Sequence, residues 1–157
     1  MSIEIRRASK NDIPGVLELL KQVNMVHHSG RPDIFNVGTK YSDKELETIF
    51  NTESTPVFVA VNESGHVLGH AFCIIKQELH DSILTDIKTL YIDDICVDEN
   101  TRGEHIGTKL YDHVKDYATS IDCYNVTLNV WSCNPTAMAF YESLGMKPQK
   151  IGMEAIL

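Results

Sequence analysis

No apolar run in this sequence of 157 residues approaches the ~20 that a membrane-spanning helix requires. Its opening, MSIEIRRASKND, lacks the apolar stretch of a secretory signal, so the cytoplasm is the default location. There is no basic block either. Fourteen Lys and Arg against 22 Asp and Glu give a formal net charge of −8. That balance is poor for gripping nucleic acid and better suited to a cationic or neutral ligand. The four cysteines, Cys73, Cys96, Cys123 and Cys133, include no CxxC pair, so buried thiols are expected, with no disulfide framework and no metal centre. Repeats, low-complexity tracts and linkers are also missing, which points to a single domain over 1–157.

What remains is a globular composition, 43% hydrophobic and 23% charged. Ile3 and Ile5 alternate with polar residues, as in a strand. Ser9 and Asp12 form a capping-box pattern ahead of a helix whose stripe is Ile13, Val16, Leu17, Leu20 and Val23. A polar loop is expected from His27 to Tyr41, and Ser42 with Glu45 repeats the capping pattern before a short helix. PVFVAVN and HVLGHAFCII read as a hairpin turned at Glu63-Ser64-Gly65. IKTLYIDDICV, 87–97, reads as a long central strand. A helix over 104–119 buries Ile106, Leu110, Val114 and Tyr117. YNVTLNVW is a strand, residues 134–144 a helix stopped by Gly145, and 147–157 one or two short strands. The order β-α-α-β-β-β-α-β-α-β describes a mixed sheet with helices on its faces.

The segment CVDENTRGEHIGTKLYDHV, 96–114, carries the first chemical signal. A strand ends, a polar loop follows, and Gly107-Thr108 lie at the start of an amphipathic helix. Backbone N–H groups and the positive end of the helix dipole then converge on one point, which is an anion site. The second signal is Asp93-Asp94, two carboxylates inside an otherwise apolar strand, where burial without a partner or a purpose is costly. Neighbours on a strand face opposite ways, which gives Asp93 the parity of Tyr91, Ile95 and Val97 unless a bulge intervenes. The third is the pair Asn134 and Tyr141. Seven residues apart, they share one helix face about 10 Å apart along the axis.

Two motifs resemble those of the GNAT N-acetyltransferase family. Arg102-Gly103-Glu104-His105-Ile106-Gly107 is similar to R/Q-x-x-G-x-G/A, with His105 where the first motif glycine is usual. NPTAMAFYESLGM, Asn134 to Met146, is similar to N-x-x-A-x-x-F-Y-E-x-x-G-F except at Met146. The resemblance implies the acyl-CoA N-acyltransferase fold with a splayed central sheet. It implies acetyl-CoA as acyl donor, without a metal, and a small-molecule primary amine as acceptor. The cofactor grip would comprise Ile95, Cys96, Val97, Arg102, Gly103, Glu104, His105, Ile106, Gly107, Thr108, Asn134 and Tyr141. Within it, Val97 N–H would face the thioester carbonyl, and Tyr141 would protonate or hydrogen-bond the leaving sulfur. The strand YIDDICV also resembles that of spermidine/spermine acetyltransferases, which places Asp93 ahead of Asp94 as the base. The loop His27 to Tyr41 and the hairpin residue His70 would line the acceptor pocket, with His27, His28 and Arg31 as polar groups to bind substrate or assist proton removal, while Trp131 and Cys133 read as packing.

Two other readings stay open. One is acetylation of a protein lysine or N-terminal amine. The other is a module that senses acetyl-CoA without catalysis. An edge strand at the C-terminus would suit a homodimer.

Overall fold

The computed structural model describes residues 2–101 and 103–157. Five strands form one sheet in sequential order: β1 (Glu4–Arg7), β2 (Val57–Val61), β3 (Val67–Gln77), β4 (Lys88–Val97) and β5 (Asn125–Leu128). β1 to β4 run antiparallel, and β5 joins β4 in parallel. The parallel pairing needs a crossover, supplied by α3 (Ile106–Ser120). α1 (Ile13–Gly30) and α2 (Asp43–Phe50) connect β1 to β2, and α4 (Pro135–Ser143) follows β5.

Alternation along the strands sorts the core into two layers. Val57, Val59 and Val61 of β2 pack with Val16, Leu20 and Leu46 of α1 and α2. Phe58 and Ala60 pack with Ile106, Leu110 and Val114 of α3. Each large aliphatic side chain enclosed in this way contributes about 1.5–3 kcal/mol. Leu20, Leu46, Leu110 and Val114 have no exposure at all, so the sheet is clamped from both faces. The layer against α3 fixes the start of that helix over the end of β4.

Several local expectations take a different form. α1 is preceded by a 3-10 turn, Lys10–Asp12, in which the buried Asp12 accepts the Ser9 N–H at 2.8 Å and two Arg6 bonds at 2.8 and 3.0 Å. The helix then runs four residues into the expected loop, through His27 and His28 to Gly30, because nothing in that stretch breaks it; the Arg31 N–H still closes on His27 O at 2.8 Å. The strand expected over 124–131 keeps only Asn125–Leu128.

The expected C-terminal strand does not form: residues 147–157 carry no strand and join no ladder of the sheet. Ile151, Met153, Ile156 and Leu157 are exposed, so the tail buries no apolar face against the core. Pro148 also lacks the N–H that a ladder would use. The tail is tied instead through Glu154 to Arg31.

Candidate active site

The site begins with a fault in the central strand. Between β3 and β4, Phe72 pairs with Asp94, but the next residue, Cys73, pairs with Ile92. Asp93 is therefore the extra residue of a β-bulge, and the bulge shifts the strand's alternation by one. Leu90 and Ile92 before it, and Ile95 and Val97 after it, all pack against the α3 layer. Asp93 and Asp94 both turn to the α1–α2 side. The expected parity of Asp93 with Ile95 and Val97 is thus corrected: the bulge reverses the faces of everything beyond it.

The two carboxylates have different partners. Asp93 Oδ2 accepts from Lys40 Nζ at 2.7 Å and from the Tyr41 hydroxyl at 3.1 Å. Asp94 Oδ2 meets His70 Nε2 at 2.7 Å. His70 has no exposure, while the Asp94 side chain keeps 9% and the Asp93 side chain 17%. The loop between α1 and α2 holds Lys40 and Tyr41 in place. Tyr41 stacks on Phe72, with ring centroids 5.6 Å apart, and Lys40 lies over the Tyr41 ring. Although its partial burial opposes charge, the bond to Asp93 and the charges of Asp93 and Asp94 leave the Lys40 ammonium above its ordinary pKa.

The bulge also marks where the sheet opens. β4 and β5 pair from Thr89–Asn125 to Ile92–Leu128 and no further, so the sheet is splayed as expected. Beyond Ile92, no described strand lies along that edge of β4. The Asp98 N–H donates to Leu68 O on β3 at 2.8 Å. Backbone groups alternate between the two edges of a strand, so those of Asp94 and Cys96 turn toward β3. Those of Ile95 and Val97 turn into the opening.

α3 starts at the mouth of this opening. Among the described residues its N-terminus has no side-chain cap, and its first turn holds no acidic residue. By contrast, Ser42 caps α2 at 3.2 Å and Asn134 caps α4 at 3.2 Å. The first N–H groups of α3, including those of Gly107 and Thr108, are therefore left for an anion. Gly103, Glu104 and His105 lie exposed before it, and Arg102 falls outside the described residues. His105 takes the left-handed conformation, φ 57°, ψ 31°, which is where a glycine would be at ease. Gly107 suits the close approach of α3 and α4: a Cβ there would press on the Phe140 ring at 3.0 Å.

α4 forms the other wall. Asn134 Oδ1 is used in capping, accepting the Ala137 N–H, while its side-chain NH₂ remains as a donor. Burial pushes the Tyr141 hydroxyl well above its ordinary pKa, and the nearby Asp94 and Cys96 push it further. Tyr141 therefore keeps its proton through the neutral range. Cys73, wholly enclosed, has its thiol pushed up to about 12 by burial and is inert.

Other anticipated residues serve the loop. His28 Nδ1 lies 2.7 Å from Phe35 O, the His27 ring sits 4.9 Å from that of Phe35, and Arg31 bonds Asp33 at 2.8 Å. Trp131 packs edge-on against Phe35 at 5.2 Å. His70, in contrast, lies at the carboxylates. Lys40 and Tyr41 belong to the loop expected at the acceptor pocket, but no local pattern singles them out or links them to a strand 53 and 52 residues away. The Ser42 capping signal beside them was the nearest clue.

The model of the Acetyltransferase (GNAT) family matches residues 23–146. Glucosamine 6-phosphate N-acetyltransferase of Arabidopsis thaliana is 30% identical over 97 residues, 54% of this chain and 63% of that enzyme, so the match spans less than two thirds of that relative. In structure, the chain superposes on a mutant of the BH1408 protein from Bacillus halodurans with a TM-score of 0.94 and 32% identity, over 98% of this chain and 99% of that one. The crystal structure of the Arabidopsis enzyme gives 0.73 at 24% identity over 99% of each chain. An aminoglycoside acetyltransferase from an uncultured soil metagenomic sample, solved with sisomicin, gives 0.73 at 21% over 99% and 96%. These last two show a common fold. With the family model spanning most of its length, this chain belongs to the GNAT acetyltransferase family.

Proposed function

We propose that this chain transfers an acetyl group from acetyl-CoA to the primary amine of a small molecule. One observation carries the reading: β4 and β5 part where the bulge brings Asp93 and Asp94 to one face, with Tyr141 within electrostatic reach of Asp94. When bound, acetyl-CoA supplies a thioester whose carbonyl the amine attacks.

The chain's own groups divide the work. The backbone of Gly103, Glu104, His105, Ile106, Gly107 and Thr108 would grip the pyrophosphate at the uncapped start of α3. Ile95, Cys96 and Val97 form the edge along which the pantetheine arm lies, and the Asn134 NH₂ donates to it. The Val97 N–H stabilises the carbonyl oxygen as it gains charge. Tyr141 donates its hydroxyl hydrogen to the sulfur as the thioester breaks. A phenol held above its usual pKa is a poor outright acid toward a thiolate, so hydrogen bonding to developing charge is its main contribution.

The acceptor amine arrives as an ammonium and must lose a proton. Asp94, whose charge reaches Tyr141 and which makes no direct bond to Lys40, takes that proton. Asp93 holds the positive charge of the acceptor, as it now holds Lys40. The formal charge of −8 favours such a ligand over nucleic acid. The Arabidopsis relative, named for glucosamine 6-phosphate, supports an amine of small-molecule size.

The test is incubation with acetyl-CoA and a panel of amino sugars, aminoglycosides, polyamines and lysine peptides, following thiol release. Turnover concentrated on small amines is expected. Turnover confined to peptides would transfer the function to protein acetylation, and CoA binding with no turnover would favour a sensing role.

A further inference from the structure

We infer that His70 is a positioning residue that fixes Asp94 as proton acceptor, holding Oδ2 and leaving Oδ1 to the acceptor amine. The inference rests on the acetyl-transfer reading and deepens it. His70 sits on β3 with no exposure, its ring edge-on to Phe72 at 4.9 Å and its backbone opposite Cys96. Nε2 lies 2.7 Å from Asp94 Oδ2. Nδ1 is buried and has no hydrogen-bond partner among the described residues.

That orphaned atom selects the proton arrangement. An imidazolium would bury a second N–H with no acceptor. The neutral ring protonated on Nδ1 would bury the same orphaned donor and turn the Nε2 lone pair against a carboxylate. Protonation on Nε2 alone leaves only a lone pair unsatisfied, the least costly of the three. His70 Nε2–H then donates to an anionic Asp94.

The consequence is specific to one oxygen. With Oδ2 engaged, and no described donor on Oδ1, Oδ1 is the base. An N–H bond of the ammonium breaks, an O–H bond forms on Asp94 Oδ1, and the electron pair stays on nitrogen for attack on the carbonyl. The charged and titratable groups near Asp94 include His70 from β3, Tyr141 from α4, Asp93 and Cys96 on β4, and Lys40 and Tyr41 from the loop.

Two measurements test this. Nitrogen-15 NMR of the histidine-labelled wild-type chain should show His70 protonated at Nε2 and bare at Nδ1; the opposite tautomer would overturn the assignment. In kinetics, His70→Leu should lower kcat at least tenfold with the KM for acetyl-CoA within twofold. His70→Gln, whose amide NH₂ reaches the Nε2 position, should recover most of the loss. A folded His70→Leu with kcat within twofold of wild type, or His70→Gln as impaired as His70→Leu, would overturn the positioning role. Should His70→Leu not fold, His70→Gln against Asp94→Asn decides: kcat as low in the former as in the latter refutes the role. A wild-type chain that binds CoA but acetylates no amine would refute the acetyl-transfer reading and the kinetic role together, while the tautomer spectrum still reports the His70–Asp94 bond by itself.

Discussion

Replacing Asp94 by Asn separates the two carboxylates on the bulge. The amide is nearly isosteric, so packing against Phe72 and the loop survives. His70 can still donate to the amide oxygen, but a charge-assisted bond becomes a neutral one, a loss of about 1 kcal/mol. For a chain of this size, that lowers Tm by about 2–4 °C. The effect on rate is far larger. A positioned general base contributes roughly 10²–10⁴-fold, so kcat should fall by at least about 10². Asp93→Asn is the control. Its pairing with Lys40 is partly exposed, with side chains 45% and 17% accessible, and is worth about 1 kcal/mol or less. That substitution should raise the KM for the amine by up to about fivefold, the cost of one weakened ion pair, and leave kcat within about threefold. Steady-state kinetics with both substrates varied, beside thermal melts of each variant, reads all four quantities. If Asp93→Asn abolishes turnover and Asp94→Asn does not, the role assignment drawn from the bulge is wrong.

Three further outcomes follow from other parts of the molecule. Tyr141→Phe removes one buried donor and should lower kcat roughly 10²–10³-fold with little change in acetyl-CoA binding by calorimetry; full activity would remove Tyr141 from the chemistry. His105→Gly relieves a left-handed residue, a strain of about 1–2 kcal/mol partly offset by the greater unfolded freedom of glycine. The net should be a stabilisation near 0.5 kcal/mol in urea melts, with CoA affinity unchanged or raised, and a lower melting midpoint would contradict it. The Asp12 carboxyl is depressed below its ordinary pKa: burial works against the charge, but the bonds from Arg6 and the Ser9 N–H outweigh it. Its contribution is therefore complete above the unfolded value of 3.8 and is lost as pH falls through the lower folded value. Asp12→Asn should cost about 1–2 kcal/mol at neutral pH and flatten the acid limb of the stability curve.

Much of the fold was legible because its signals are local. Capping boxes at Ser9 and Ser42, the stripe Ile106-Leu110-Val114 and the stop at Gly145 depend on residues a few positions apart. The turn into α3 at Gly107 and the Asn134–Tyr141 helix are legible for the same reason. The bulge at Asp93 was not, because it is a property of pairing with β3 and leaves no mark in YIDDICV itself. The same long-range origin hid the contacts of Lys40, Tyr41 and His70. Ile151 and Met153 alternate as a strand would, yet both side chains stay exposed and the tail joins no ladder, so local alternation alone does not specify a strand.

In the proposed reaction the opening between β4 and β5 receives acetyl-CoA, and its acetyl group passes to an amine held at Asp93 and Asp94. The most direct measurement is thiol release from acetyl-CoA by the wild-type chain across the amine panel, with mass spectrometry of the acceptor. The account predicts amine-dependent release and an N-acetylated small molecule, both lost in Asp94→Asn. Thiol release that ignores the amine, or none despite saturating CoA binding, would contradict it.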